Sequence, residues 1–184
     1  MSRLAELRRL SPTRPLTKAE AFRVAELQAN HLLTGVELSG PPVPMSVITS
    51  LAGITVDYWP NAPVSASSHW TGKTWIIVLN DDEPRVRQRF SLAHELHHVL
   101  CHPQREVLYR THRQTAGRPV EELVADHFSA SLLMPRRWVR RAWANEGIST
   151  VPALASLFEV SWVAMQYRLN FLGLIDANEG RDAA

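Results

Sequence analysis

The chain has 184 residues, 45% of them hydrophobic and 21% charged, which suits one domain with a buried core and excludes intrinsic disorder, a collagen-like fibre and a coiled coil. Twenty Lys and Arg face 18 Asp and Glu, and a formal charge of +2 argues against a dedicated nucleic-acid binder. No apolar run reaches the roughly 20 residues needed to cross a bilayer, residues 1–12 lack a signal-like apolar segment, and a lone Cys101 fits a reducing compartment, so a cytoplasmic protein is expected.

In chain order, Thr17 and Glu20 form a capping box, and Ala21, Val24, Ala25, Gln28 and Leu32 follow at helical spacing up to Gly35. Prolines 41, 42 and 44 break that helix, and a short helix from Pro44 to about Ala52 is stopped by Gly53. Three β-like pieces come next: 54–59, 65–70 and 73–79, the last two joined by a turn at Thr71-Gly72. We expect a small antiparallel sheet in which Trp75–Leu79, the most apolar piece, is covered on both faces. Asp81, Asp82, Glu83 and Pro84 suit the start of a helix that runs to Cys101 or His102. A polar loop follows to Arg118, then helices over 120–133, 135–145, 151–158 and 162–172, the last capped by Ser161 and Gly173. The predicted fold is α+β and mostly helical. Its expected sections are an N-terminal helical arm over 1–38, a core over 39–146, and a helix-turn-helix-like pair with its tail over 147–184.

Five of the eight histidines lie between positions 94 and 112, a clustering that calls for a chemical reason. His94, Glu95 and His98 make the pattern His-Glu-x-x-His. Residues i and i+4 on a helix lie about 40° apart, so both imidazoles can reach one Zn²⁺. Glu95, one residue round the helix, is placed to serve a water at the metal as proton acceptor. A shuffled chain of this composition shows the pattern with a chance of about 2%. A histidine-rich surface helix is the bland alternative, and the apolar neighbours Phe90, Leu92, Ala93, Leu96, Val99 and Leu100 argue against it.

A zinc hydrolase needs a third protein ligand. Glu122 and Asp126 lie i, i+4 on a separate helix, so Glu122 is a candidate ligand and Asp126 a candidate acceptor for a ligand histidine's N–H. The competing reading makes Glu121 and Glu122 ordinary first-turn acids.

Arg87-Gln-Arg-Phe-Ser-Leu-Ala-His-Glu-Leu-His-His98, Glu122-Leu-Val-Ala-Asp-His-Phe-Ser-Ala-Ser-Leu-Leu-Met-Pro135 and Val160-Ser-Trp-Val-Ala-Met-Gln-Tyr-Arg-Leu-Asn-Phe-Leu-Gly-Leu174 resemble, in order, three signature blocks of ImmA/IrrE-type zinc metallopeptidases. The resemblance covers about residues 40–175. It implies zinc ligands at His94, His98 and Glu122, with Glu95 as catalyst. It also implies a narrow protein substrate, an Xre-type helix-turn-helix repressor, cut to derepress genes in stress responses or on mobile elements. Position 97 is usually glycine in that family. Here it is His97, which either crowds the site or lies on the helix's other side.

Other candidates remain open at this point. Cys101, seven residues after His94, is a possible fourth ligand, although packing beneath the metal is the commoner fate of a lone cysteine. His102, His112 and Tyr109 are candidates to steady an oxyanion, and His127 has no assigned role. Arg136, Arg137, Arg140 and Arg141 suggest either an acidic partner or a solvated face, and the solvated face is favoured. In the last helix, Trp162, Val163, Met165, Leu169 and Leu172 are expected in apolar contacts, leaving Gln166, Arg168 and Asn170 as polar residues. Direct DNA binding is therefore not expected. Taken together, these residues and the resemblance point to a zinc endopeptidase of the His-Glu-x-x-His type. Its rival is a non-catalytic zinc-containing regulator that acts by binding a repressor or DNA.

Overall fold

The structure, a computed structural model, describes residues 2–111, 117–145, 148 and 150–175. Its elements in order are α1 (Arg3–Arg9), α2 (Lys18–Leu33), α3 (Ser46–Thr49), β1 (Ile54–Trp59), β2 (Ala66–Trp70), β3 (Trp75–Asn80), α4 (Arg85–Cys101), α5 (Arg105–Leu108), α6 (Val120–Leu133), α7 (Arg136–Asn145), α8 (Val151–Phe158) and α9 (Trp162–Phe171). The α+β prediction holds. Gly147 and His112 lie outside the described residues.

Local chemistry sets the boundaries. Thr17 Oγ1 accepts from Glu20 N at 3.3 Å while the Glu20 carboxylate accepts from Thr17 N at 2.9 Å, so two orphan donors of α2 are satisfied reciprocally. Ser161 caps α9 one way only, its Oγ accepting from Ala164 N at 3.2 Å. The turn between β2 and β3 closes through Thr71 N to Thr74 O at 3.0 Å, with Gly72 at φ +89, where a side chain would be strained.

The sheet corrects one expectation. Its order is β1-β3-β2, with β2 antiparallel to β3 but β1 parallel to β3, so it is mixed and not wholly antiparallel. β3 is apolar along both faces and takes the centre, with Ile77, Val78 and Leu79 buried. The turn at Thr71–Thr74 folds β2 back along one side of β3, and β1 is left the other side, where it runs in the direction of β3. β2 is consequently an edge strand.

The polar stretch predicted as a loop up to Arg118 also differs. It contains a 3₁₀ turn at His102–Gln104 and then α5, whose Leu108 is buried. Leu108 O accepts from Leu16 N at 3.0 Å, which ties the turn to the segment leading into α2.

One apolar core runs from Leu4 to Leu172 and includes Leu32, Leu92, Leu96, Phe128 and Met165. Within it α4 packs on α6 and beneath β2 and β3, α2 packs on α6, and α9 packs on α6 and α8. Two buried arginines fasten the outer pieces to this frame. Arg89 on α4 donates to Val43 O (2.9 Å) and Glu159 O (3.1 Å), holding the proline segment and the α8–α9 turn. Arg168 on α9 donates to Met134 O (3.0 Å) and Ser131 Oγ (3.1 Å) and pairs with Glu26 of α2 at 3.2 Å. Among the described residues, no helix is long and apolar enough to cross a membrane.

Candidate metal centre

The packing of α4 on α6 brings the two predicted i, i+4 pairs face to face. His94 and His98 lie one turn apart on α4, with Nε2···Nε2 at 3.0 Å. Glu122 stands opposite on the first turn of α6, its Oε2 3.2 Å from His94 Nε2 and its Oε1 3.4 Å from His98 Nε2. Ligands about 2.0–2.1 Å from a tetrahedral ion lie roughly 3.3 Å from one another, and these separations match that edge length. The side chains of His94, His98 and Glu122 could hold a metal ion, each offering one atom and all within 4.8 Å of one another.

Donor chemistry gives the same answer. His94 Nδ1 sits 3.0 Å from Asp126 Oδ1, so its N–H donates to that carboxylate. Nε2 of the neutral ring then carries a lone pair aimed at His98 and at the Glu122 carboxylate. Lone pairs converging in this way favour a cation between them. Burial lowers the His94 pKa, but the hydrogen bond and charge of Asp126, together with Glu122, outweigh it and raise the pKa overall. Burial, then the nearby His94, push His98 down. Asp126 is pushed up by burial and pulled down further by His94 and Arg118, and so stays ionised.

The two first-turn acids of α6 have separate partners. Glu121 pairs with Arg105, while Glu122 faces the histidines. Glu95 lines a cavity of about 800 Å³ together with His94, Asp126 and Tyr167. Another cavity, of about 430 Å³, is lined by Trp70, Trp75, His98, His102 and Glu122.

The remaining candidates divide clearly. His97 points into the core, 2% exposed, with its ring against Phe128, and burial lowers its pKa to about 3. It does not crowd the centre. Cys101 is buried behind His97, its Sγ 3.4 Å from His97 Nε2 and 3.7 Å from Tyr109 Oη, and burial raises the thiol pKa to about 11. Tyr109 is thereby turned toward the sulfur. His102 is exposed, its ring edge-on to Trp75. His127 is fully buried and stacked on Phe22 at 4.5 Å, with neither ring nitrogen hydrogen-bonded.

Two expectations for the last helix are corrected. Arg168 is 1% exposed and engaged inside the fold, so it is no surface reader. Trp162 and Val163 are 59% and 57% exposed, because α9 packs through Met165 and Leu169 and leaves its first turn outward. Arg118 was missed altogether: its Nη1 lies 2.9 Å from Asp126 Oδ2. It precedes Pro119 and lies outside α6, so no helical spacing links it to Asp126.

Residues 54–170 match the IrrE N-terminal-like domain, peptidase family M78. The chain belongs to that family. It is 30% identical over 127 residues to the radiation response metalloprotease IrrE of Deinococcus deserti, a match covering 67% of this chain and 43% of that protein. The chain thus matches less than half the length of that relative. A solved Mycobacterium tuberculosis transcriptional regulator shares the fold, with a TM-score of 0.60 at 18% identity, over 92% of this chain and 52% of that one. Membership in a peptidase family and likeness to a metalloprotease agree with a metal-binding centre at His94, His98 and Glu122.

Proposed function

We propose that the protein is a zinc-dependent endopeptidase that cuts one specific protein, an Xre-type helix-turn-helix repressor, and so derepresses genes. The carrying observation is the convergence of His94 Nε2, His98 Nε2 and the Glu122 carboxylate within 3.4 Å, beside the cavity that Glu95 lines. The repressor substrate and its place in stress responses or on mobile elements rest on the family resemblance.

A zinc ion held by these three side chains would supply Lewis acidity toward a peptide carbonyl and toward water. Glu95 is the proton carrier: its carboxylate accepts a proton from the attacking water and returns it to the departing amine. Asp126 keeps the His94 ring turned so that Nε2 faces the centre, and Arg118 anchors Asp126 from the other side. β2 offers an edge to which an extended peptide can add as a further strand, and it passes both cavities, Ala66 lining the larger and Trp70 the smaller. The arginine of α9 is buried and Arg136 of α7 is paired with Glu26, so base reading by these helices is not part of the proposal.

The test is co-expression with candidate Xre-type repressors, comparing the parent with Glu95→Gln. Cleavage is expected to fall about 10²–10⁴-fold in the variant while fold and bound zinc are retained. Equal derepression by Glu95→Gln would displace hydrolysis as the output in favour of a regulator that acts by binding.

A further inference from the structure

The cavity beside Glu95 has an apolar wall and a basic rim. Phe22 of α2, Phe90 of α4, Leu123 of α6 and Val163 of α9 form the wall, and Lys18, Arg87 and Arg118 stand around it. Two acids line it, Glu95 and Asp126. Asp126 is already held by His94 and Arg118, and Glu95 lies next to His94 on α4. The basic groups farther out are lightly engaged. Lys18 and Arg87 are exposed; Lys18 lies with its ammonium 5.6 Å from the Phe22 ring centroid, and Arg87 meets the half-buried Glu83 at 3.7 Å and Ser65 Oγ at 3.3 Å. Exposed pairs of that kind are given up at little cost. The first turns of α2, α4 and α9 also border the cavity, and their dipoles add positive potential there.

Direction follows from β2. The strand runs from Ala66 at this cavity to Trp70 at the smaller one. A peptide added antiparallel to it, the better-bonded arrangement, passes Trp70 first and Ala66 last. The larger cavity then receives the residues after the scissile bond.

We propose that this cavity selects an apolar side chain followed within two residues by an acidic one, on the C-terminal side of the cut. The placement relative to the cut rests on the peptidase reading above, whereas the selection is a property of binding alone. An extended peptide rises about 3.4 Å per residue, so side chains two apart share a face and span the step from apolar wall to basic rim.

Zinc-loaded Glu95→Gln protein is titrated against fluorescein-labelled decapeptides that differ only at the centre: Leu-Ser-Glu, Leu-Ser-Lys and Ser-Ser-Glu. Leu-Ser-Glu is expected to bind about tenfold more tightly than either of the others. Adding Lys18→Glu and Arg87→Glu, both on exposed side chains, should reverse the preference between Glu and Lys, with circular dichroism checking that the fold is kept. Equal affinities, no measurable binding of any peptide, or a preference unchanged in the charge-reversed protein would each overturn the selection. The parent is then offered a peptide library and its cut positions are read. Acids enriched after the cut support the assignment, and acids enriched only before it overturn the direction. Selective binding with no cutting at all sinks the peptidase reading and leaves the selectivity standing, whereas cutting without selectivity does the opposite.

Discussion

Asp126 and His127 are adjacent on α6 yet face opposite problems. Asp126 is ionised between His94 and Arg118 and fixes the ring that faces the centre. Replacing it with Asn keeps the shape but removes the charge, and zinc affinity should weaken by about 10–100-fold, read by competition with a chromophoric chelator. His127 is buried with both nitrogens unpartnered, and burial, then the charge of Arg168, lowers its pKa to about 4. Below about pH 6.5 the unfolded chain takes up a proton at this residue that the folded chain refuses until about pH 4, so stability falls as the pH drops through that window. The loss is about 3 kcal/mol from this group. His127→Phe keeps a ring against Phe22 and removes the titration. Its melting temperature should fall less steeply between pH 6.5 and 4 than that of the parent, and an unchanged slope would exclude His127 as the source. The metal-binding pattern was readable at this scale because His94 with His98, and Glu122 with Asp126, each obey one helical spacing. Arg118 and the turn of Tyr109 toward Cys101 were not, since both depend on the path of chain between α4 and α6, which no periodicity governs.

At the scale of elements, helix positions followed from caps and periodicity, and strand positions from β-rich runs. The direction of β1 relative to β3 did not, because pairing direction is set by how the connection returns and not by the strand's own residues. Apolar spacing likewise placed Trp162 and Val163 in contacts although α9 turns them outward: two apolar residues at a helix start read alike whether buried or exposed. Arg168 shows the converse. A charged residue in a helix reads as surface, yet here it joins α9 to Met134, Ser131 and Glu26. Arg168→Leu would leave the Met134 carbonyl unpaired and Glu26 with Arg136 alone. We expect a loss of about 3–5 kcal/mol in urea unfolding. A loss below about 1 kcal/mol would mean that the apolar packing of α9 suffices without this anchor.

For the whole molecule, the core is continuous and apolar from Leu4 to Leu172, and the candidate ligands sit on two helices that pack on each other through it. Chelation should therefore leave the helical circular dichroism signal in place while lowering the melting temperature. Zinc at about 100 times its dissociation constant should restore about 2.7 kcal/mol. Collapse of the helical signal on chelation would instead make the ion part of the folding nucleus. A different division crosses the molecule. Lys18 and Phe22 form one side of the cavity beside Glu95, but they belong to α2, outside residues 54–170 that define the family, while the candidate metal ligands all lie inside them. One side of the cavity is thus encoded outside the stretch that carries the candidate ligands, whereas Arg87, Phe90, Arg118, Leu123 and Val163 lie within it. Substitutions on the first turns of α2 should therefore alter what the cavity admits without touching a candidate ligand, so that selectivity can change while the metal centre stays as it is.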